Sequence, residues 1–370
     1  MPCCTLVVMA KKSALALGLF GAAAAALAWA ARDVPRAMGA SPEERRVAPS
    51  PQWRDGKFHN RVPARTLTQP AGSMLSSFLR DRERRKPRLP IPLAAPSHAT
   101  TEGLHITWHG HSTALVEING DRVLFDPVWS ERCSPSHLVG PRRLHEPPVE
   151  IYELPALAAI VISHDHYDHL DLPSVRELAR TSTAPFVVPL GVGAHFARWG
   201  IPPERVIELD WDESITVAGL TLTATEARHF SGRGLARDET LWASWVVAGH
   251  GRKVFYTGDS GYFDGYAEIG AAHGPFDATL MQIGAYGDGW PDIHMTPEDA
   301  VRAHRAVRGD LLIPLHWGTF VLAFHDWSEP ADRLWSEAKA EGVTLAVPRP
   351  GERVDVDAPP AVDGWWQAIA

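Results

Sequence analysis

The sequence predicts a mixed α/β fold in which β-sheets are covered by helices. Three observations support this fold class: apolar runs of strand length begin near residue 103, helical stretches lie between them, and no segment repeats at a fixed period. The chain has 370 residues, of which 45% are hydrophobic and 22% charged. These values are typical of one large folded domain with extensions, and we place the main domain at residues 101–360 and a tail at 361–370.

The predicted elements follow one another along the chain as such a fold requires. Asn119-Gly120 separates two short apolar segments and predicts a tight β-hairpin. Thr296, followed by Pro297 and two acidic residues, predicts the start of a helix, because a hydroxyl cap, an early proline and early acids all favour one. The predicted strands are residues 104–108, 113–118, 122–125, 159–162, 186–188, 220–225, 241–247, 253–256 and 311–315, and the predicted helices are residues 172–180, 192–199, 296–307 and 330–341.

Residues 1–31 predict a signal peptide or a membrane anchor. Lys11 and Lys12 precede an uncharged run, residues 13–31, that is rich in alanine and leucine. Small residues at 28–30 fit a cleavage site, whereas a retained anchor needs about twenty apolar residues, which the run barely reaches. Both interpretations predict export or anchoring in the inner membrane, with the main domain outside the cytoplasm. A cytoplasmic, membrane-associated protein is the alternative.

Residues 32–100 predict a linker and an outer segment, because prolines interrupt much of their length. A short helix near its end would be followed by a basic run at residues 80–88. These apolar and basic groups suit either contact with a membrane surface or packing on the main domain. The apolar residues that would share one face of this helix are Met74, Leu75, Phe78 and Leu79.

The composition narrows the classes of function. A formal net charge of −8 argues against a nucleic-acid-binding protein, because such proteins need a basic surface. Cys3, Cys4 and Cys133 are too few for a disulfide framework and include no Cys-x-x-Cys pair. The 18 histidines raise the question of a metal site, which depends on whether they cluster.

A group of metal-competent residues follows the predicted strand 159–162. His164, His166, Asp168 and His169 form a His-x-His-x-Asp-His pattern. Histidines two residues apart point about 200° apart on a helix, but both can face one ion from a tight loop. Since imidazole and carboxylate groups bind zinc and similar metals, the pattern predicts a metal site in this loop.

Other predicted strands also end in metal-competent residues. Because the ends of successive strands converge on one edge of a sheet, we expect these side chains to lie near the loop described above. The residues are Asp126, His229, Asp259 and His316.

These motifs resemble the signature of the metallo-β-lactamase superfamily. Within it, the chain is most similar to the N-acylphosphatidylethanolamine-hydrolysing phospholipase D family and its bacterial relatives, over residues 107–353. Besides the metal motif, the resemblance rests on Trp108-His-Gly-His111, on Gly258-Asp-Ser-Gly-Tyr and on His316-Trp-Gly-Thr-Phe320. Residues 287–292, in a loop expected to border the substrate, are shorter than the family pattern and lack its arginine.

The resemblance implies a four-layer αββα sandwich that holds two metal ions at one edge of its sheets. The implied ions are zinc, although other divalent metals are compatible with the ligands. The implied ligands are His164, His166 and His229 at the first ion, Asp168, His169 and His316 at the second ion, and Asp259 between both.

Further roles are implied for residues around these ligands. Asp126 would orient ligands rather than catalyse, and His111 would have a structural or orienting role. Asp168 or Asp259 would accept a proton during catalysis, and His294 would contact the substrate or donate a proton to the leaving group.

The implied function is dinuclear zinc-dependent hydrolysis. The favoured form is phosphodiesterase activity of the phospholipase D type on (N-acyl) glycerophospholipids, by attack of a metal-bound hydroxide. A hydrolase of the same fold for a lactone, a cyclic phosphodiester or a β-lactam is the alternative, and a non-catalytic metal-binding protein is a remote one. The expected partners are the phospholipid substrate and a membrane surface, with no nucleic acid, and a homo-oligomer is compatible with the sequence.

Overall fold

The computed structural model describes residues 32–44, 47–66, 82–97, 102–234 and 236–370. The predicted signal peptide or anchor at residues 1–31 and the predicted apolar helix face at residues 74–79 lie outside the described residues. Among the helices of the described ranges, none combines the length and the apolar character that crossing a membrane requires.

The strands of the described chain form a short hairpin and two large sheets. They are β1 (Trp53–Arg54), β2 (Lys57–Phe58), β3 (Leu104–Gly110), β4 (Thr113–Ile118), β5 (Asp121–Phe125), β6 (Ala159–Val161), β7 (Phe186–Pro189), β8 (Val206–Leu209), β9 (Ser214–Val217), β10 (Leu220–Thr225), β11 (Ser244–Gly249), β12 (Arg252–Tyr256), β13 (Phe276–Gln282), β14 (Gly309–Leu315), β15 (Thr344–Leu345) and β16 (Arg353–Asp355). The first sheet has the order β16-β3-β4-β5-β6-β7-β8, and the second has the order β15-β14-β13-β12-β11-β10-β9.

Helices cover the outer faces of the two sheets. Phe125 of the first sheet stacks on Tyr256 of the second with ring centroids 4.3 Å apart, so these side chains lie between the sheets. The neighbouring residue Phe255 points the other way, onto Tyr266 of a helix. The helices are α1 (Val34–Ala37), α2 (Leu172–Thr181), α3 (Gly193–Trp199), α4 (Gly265–His273), α5 (Pro297–Ala306) and α6 (Glu329–Glu341).

In the first sheet, too, successive side chains of a strand face alternately the other sheet and the helices. Ala159 and Val161 of β6 belong to the core between the sheets, whereas Ile160 packs with Val175 of α2 and Phe196 of α3 in a second core. Two sheets with helices outside both confirm the predicted αββα sandwich. The predicted hairpin at Asn119-Gly120 is also confirmed, because β4 and β5 pair antiparallel on either side of it.

Some elements differ from the sequence prediction or were missed by it. The strand predicted at residues 241–247 begins only at Ser244. The amide of Leu241 donates to the carbonyl oxygen of Leu190, and that of Ala243 donates to the carbonyl oxygen of Ser163, so neither amide pairs with the neighbouring strands β10 and β12. Strands β1, β2, β8, β9, β13, β15 and β16 and helices α1 and α4 were not predicted from the sequence.

Both sheets present the carboxyl ends of several strands at one edge. In the first sheet, β3 and β5 are both antiparallel to β4, and β6 is parallel to β5. In the second sheet, β10 and β12 are both antiparallel to β11, and β13 and β14 continue parallel to β12. The loops that leave these ends carry the residues singled out in the sequence.

Segments on both sides of the predicted main domain pack against it. Phe58 of the outer segment is buried in the core between the sheets. Trp366, in the predicted tail, is fully buried and contacts Trp317 and Trp335 at ring-centroid distances of 6.1 and 5.6 Å. The domain boundaries remain a prediction.

Candidate metal centre

The loop that follows β6, here called the metal loop (residues 163–171), delivers four candidate ligands into the sheet edge. Ser163 anchors its start, because its amide donates to Asp126 Oδ1 at 2.7 Å and its hydroxyl donates to Asp126 Oδ2 at 2.6 Å. Asp171 ends the loop by capping α2, accepting the amide of Ser174 at 3.2 Å. Both ends of the loop are therefore fixed by buried hydrogen bonds.

The first ligand set contains three imidazoles and one carboxylate whose ligand atoms all lie within 4.8 Å of one another. His164 Nε2 is 2.9 Å from His166 Nδ1, which is 3.3 Å from His229 Nε2. Asp259 Oδ2 lies 3.8 Å from the Nε2 atoms of His164 and His229. Three imidazole nitrogens and one carboxylate oxygen this close together are a donor set that zinc binds.

The second ligand set is built around Asp168. Its Oδ2 atom lies 2.9 Å from His111 Nε2, 3.2 Å from His316 Nε2 and 3.5 Å from His169 Nε2. These four ligand atoms also lie within 4.8 Å of one another. His111, expected to have a structural or orienting role, therefore lies among the candidate ligand atoms themselves.

Asp259 joins the two sets. Its Oδ2 atom is 3.0 Å from His316 Nε2 and 3.1 Å from His169 Nε2, in addition to its proximity to the first set. The side chain is almost fully buried. One carboxylate therefore faces both groups of imidazoles, as the predicted bridging role requires.

Buried polar atoms at this edge fit a pair of metal ions. His169 Nε2 and Asp259 Oδ1 are buried and have no hydrogen-bond partner among the described residues. Because an unpartnered buried polar atom is costly, both atoms indicate a ligand that the protein itself does not supply. Nitrogen and carboxylate donors in two adjoining sets are those preferred by zinc and similar divalent ions, and the residues present fit such a pair.

Asp126 orients one of the ligands. Its Oδ2 atom accepts hydrogen bonds from His169 Nδ1 and from the Tyr256 hydroxyl, both at 2.6 Å. With its Nδ1 proton held in this way, His169 presents an Nε2 lone pair to the site. Burial, together with the charge of Asp126, holds the pKa of Tyr256 well above its usual value, so its hydroxyl remains a donor.

The carboxylates and imidazoles of the site shift one another's pKa values. Burial alone would raise the pKa of Asp259, but the imidazoles of His169 and His316 outweigh it and hold that pKa well below its usual range. Burial would lower the pKa of His316, but Asp259 and Asp168 raise it to about 9. At His164, by contrast, burial and neighbouring imidazoles hold the pKa well below its usual value.

The structure brings all seven predicted ligands together and places His294 beside them. His294 Nε2 lies 3.9 Å from Asp259 Oδ2, and the ring contacts those of His229 and His316. Burial lowers the pKa of His294 to about 4. His294 lies just before Thr296, which caps α5 as predicted.

Sequence reasoning missed several supporting residues. Asn60 of the outer segment hydrogen-bonds the backbone of His229. Arg233 donates to the carbonyl oxygens of Asp165 and Leu170 in the metal loop, at 2.6 and 2.7 Å, and to that of Ala37 in α1 at 2.8 Å. No local pattern marks Asn60 or Arg233, since each acts on residues distant in sequence.

Comparisons with known proteins agree with this geometry. A family model described as a β-lactamase superfamily domain matches residues 121–317. The chain is 49% identical over 369 residues to an uncharacterized protein of Mycobacterium tuberculosis, covering 96% of this chain and 99% of that protein. It is 36% identical over 255 residues to the N-acyl-phosphatidylethanolamine-hydrolyzing phospholipase D 1 of Caenorhabditis elegans, covering 65% of this chain and 72% of that protein.

A solved structure shares the fold. The chain aligns with a metallo hydrolase of the archaeon Ignicoccus hospitalis at a TM-score of 0.52 and 23% identity, covering 68% of this chain and 97% of that one. The paired ligand sets and the αββα sandwich define a metal-dependent hydrolase of the metallo-β-lactamase superfamily, to which this chain belongs. Its relatives include a phospholipase D that hydrolyses N-acyl-phosphatidylethanolamine.

Proposed function

We propose that this protein is a dinuclear zinc hydrolase that cleaves the phosphodiester of (N-acyl) glycerophospholipids as a phospholipase D does. The observation that carries the proposal is the pair of ligand sets that meet at Asp259. Two ions about 3.5–4 Å apart are a known arrangement for hydrolytic displacement at phosphorus. The name of the C. elegans relative supports the choice of a phospholipid substrate.

Zinc held by these residues would supply Lewis acidity and lower the pKa of water toward neutrality. The side chains of the protein would provide the proton transfers. Asp168 and Asp259 keep their carboxylates ionised, because the surrounding imidazoles hold both pKa values low. Either carboxylate can therefore accept the proton that leaves the attacking water.

His294 is placed to act on the leaving group. Its Nε2 atom lies 3.9 Å from Asp259 Oδ2, and its side chain is 13% exposed, so a bound substrate can reach it. We assign it a role in contacting the substrate. Because its pKa is about 4, His294 is neutral near pH 7, so it can protonate the leaving alkoxide only after it takes up the proton released by the attacking water. Attack of water on phosphorus breaks the bond from phosphorus to the oxygen of the N-acylethanolamine, and that departing alkoxide needs this proton, while the phosphate stays on the diacylglycerol as phosphatidic acid.

We also propose that the reaction occurs at a membrane surface outside the cytoplasm. This proposal rests on residues 1–31, which resemble a signal peptide or an anchor. A reporter enzyme that is active only outside the cytoplasm, fused after residue 100, tests it. Activity of that fusion is the expected result, and an inactive reporter in a stably produced fusion would contradict export.

The substrate is tested by offering the zinc-loaded protein three classes of ester. These are vesicles containing N-acyl-phosphatidylethanolamine, soluble bis(p-nitrophenyl) phosphate and lactones. The proposal expects phosphatidic acid and an N-acylethanolamine as the lipid products, identified by mass spectrometry. Hydrolysis of lactones with no lipid product would favour the alternative, a same-fold hydrolase of another ester.

The metal dependence is tested with ligand variants. His166→Ala and Asp259→Ala should lower both the bound zinc, measured by elemental analysis, and every hydrolytic activity, because each removes a donor from the site. Full hydrolysis by a zinc-free preparation would refute a metal mechanism. A full zinc content with no hydrolysis of any ester would instead revive the non-catalytic interpretation.

A further inference from the structure

A broad basic cleft of about 1190 Å³ lies next to the metal centre. One wall is formed by residues 82–90 of the outer segment, and the other is formed by parts of the loop at residues 131–146. Seven arginine and lysine side chains line the cleft against three glutamates. Because the whole chain carries a formal charge of −8, this local excess of cations marks a surface for anions.

Backbone hydrogen bonds fix both walls of the cleft. The amides of Arg88 and Leu89 donate to the carbonyl oxygen of Ile369 at 2.8 and 3.4 Å. Across the cleft, the amide of Arg143 donates to the carbonyl oxygen of Glu131 at 2.8 Å. The cationic side chains therefore project from a framework that is formed before any ligand arrives, which reduces the entropy that binding costs.

Exposed apolar side chains lie among the lining residues and directly beside them in sequence, and together they are called the rim here. Leu89, which lines the cleft, is 57% exposed, and Leu138 and Val139, directly before the lining residues Gly140 and Pro141, are 47% and 70% exposed. A single exposed apolar side chain is common on a protein surface, but apolar side chains grouped beside a charged cleft mark an interaction site. Cations flanked by exposed leucine and valine are typical of contact with a phospholipid headgroup region.

The cleft connects with the metal centre through its inner wall. Leu144 and His145 line the cleft, and both are hydrogen-bonded to Thr319. The Leu144 amide donates to the Thr319 carbonyl oxygen at 2.9 Å, and His145 Nε2 lies 3.0 Å from the Thr319 hydroxyl. The Thr319 hydroxyl also accepts the amide of the candidate ligand His111, at 2.6 Å. A small second cavity shares Leu144 with the cleft and is lined by His316.

We propose that this cleft is the surface by which the protein docks on membranes rich in anionic phospholipids. Lipid phosphates would contact the exposed side chains of Lys86 and Arg88, since across the cleft Arg142 already pairs with Glu131 and Arg143 donates to the carbonyl oxygens of Val128 and His145. The rim side chains would enter the boundary between headgroups and acyl chains. Docking here brings the membrane beside the wall shared with the metal ligands. This docking rests on the proposed function in one respect: hydrolysis of phospholipids explains why the membrane should lie beside the metal ligands. Docking itself does not depend on catalysis.

The apolar rim distinguishes this occupant from a nucleic acid. Both ligands offer phosphates to a basic cleft, but only a bilayer also accepts Leu138 and Val139. Binding should weaken as salt rises, because exposed charges are screened over about 10 Å at 0.1 M ionic strength.

The test is co-sedimentation of the full-length, zinc-loaded protein with vesicles. Vesicles of phosphatidylcholine alone are compared with vesicles that also contain phosphatidylglycerol, at low and high salt. The charge-reversed variant K86E/R88E should bind the anionic vesicles at least about tenfold more weakly, and L138S/V139S should also bind more weakly. The matched control R54E/K57E reverses two exposed cations on the β1–β2 hairpin, outside the cleft, and should bind like the unaltered protein.

Soluble bis(p-nitrophenyl) phosphate provides the second readout. The K86E/R88E protein should hydrolyse it at the unaltered rate, which shows that the variant is folded and carries its metal. Equal binding of this variant and the control, or equal binding to the two kinds of vesicle, would overturn the proposal. So would a duplex oligonucleotide that binds as tightly as the anionic vesicles in a cleft-dependent way. Cleft-dependent vesicle binding without lipid hydrolysis would instead leave the docking surface in place and count against the proposed function.

Discussion

Asn60 holds both backbone polar groups of His229. Its Nδ2 atom donates to the carbonyl oxygen of His229 at 2.8 Å, and the His229 amide donates to Asn60 Oδ1 at 3.1 Å. Trp242 Nε1 donates to the same oxygen at 3.0 Å. A residue of the outer segment, 169 positions away in sequence, therefore fixes a candidate metal ligand of the main domain.

The first prediction is that Asn60→Ala weakens zinc binding at the first ligand set by about 10- to 100-fold, the usual cost of removing a residue that orients a ligand. Asn60→Asp keeps the oxygen that accepts from His229 and Trp242 but loses the group that donates to the His229 carbonyl oxygen. The zinc affinity of this variant should therefore lie between those of the unaltered protein and Asn60→Ala. Competition with a fluorescent chelator measures both values. An unchanged zinc affinity in a folded Asn60→Ala protein would show that His229 needs no such support.

The second prediction concerns the hydrogen bond from the Tyr256 hydroxyl to Asp126, 2.6 Å long. Tyr256→Phe leaves a buried carboxylate short of one donor, which should lower the free energy of unfolding by about 1–3 kcal/mol. It should also weaken zinc binding at the second ligand set, because Asp126 orients His169. Denaturant titration measures the first effect. The control is Tyr152→Phe at a side chain that is 68% exposed, and equal stability of the two variants would contradict the prediction.

The third prediction is that Arg233→Lys loosens α1 from the metal loop. A lysine cannot replace the guanidinium that serves Ala37, Asp165 and Leu170 together, so the free energy of unfolding should fall by about 2–3 kcal/mol. Limited proteolysis should then cut residues 32–44 sooner than in the unaltered protein. Arg237→Lys, on the same loop but over the ring of Phe230, should not accelerate that cleavage. Equal protection of the segment in both variants would refute the role of Arg233.

The fourth prediction is a pH dependence of stability that comes from His304, a residue outside the metal centre. Its Nδ1 atom lies 2.7 Å from the Thr279 hydroxyl, and burial lowers its pKa from 6.5 to about 4. Below pH 6.5 the unfolded chain binds a proton that the folded protein does not. His304 therefore contributes full stability above that pH, and up to about 3 kcal/mol is lost as the pH falls to about 4.

Comparing variants isolates this contribution from that of the other histidines. His304→Gln should flatten the fall in unfolding free energy between pH 7 and pH 4, measured on the metal-free protein by denaturant titration. His137→Gln, at an exposed position, should keep the slope of the unaltered protein. Parallel slopes for all three proteins would contradict the assignment.

The sequence made the metal loop predictable because its ligands are adjacent. His164, His166, Asp168 and His169 lie within six residues, and the apolar strand before them shows which edge they reach. Asp259 and His316 were predictable from their positions just beyond apolar strands, since strand polarity alone brings them to that edge. Local patterns therefore sufficed for these ligands and for a fold of sheets covered by helices. The four layers came from the resemblance to the metallo-β-lactamase superfamily, and His111 was expected only to have a structural or orienting role.

The supporting residues were not predictable in the same way, because their partners are remote. Asn60 lies in a proline-rich stretch that resembles a linker, and only the folded chain shows that it reaches His229. Helix α4 was missed because Gly270 lies in its interior and disfavours a helix. Tertiary packing explains that glycine, since a Cβ atom at Gly270 would come within 2.4 Å of the carbonyl oxygen of Ala306 in α5.

The bonds from Arg88 and Leu89 to Ile369 also set an order of events during biosynthesis. A ribosome makes residues 82–90 early, but the carbonyl oxygen that holds them belongs to residue 369. A second early residue also depends on a late one, since the amide of Ala94 donates to the carbonyl oxygen of Pro350 at 2.9 Å. One wall of the basic cleft therefore cannot take its final shape until residue 369 has been synthesised, so the proposed docking surface forms only after synthesis has reached that point.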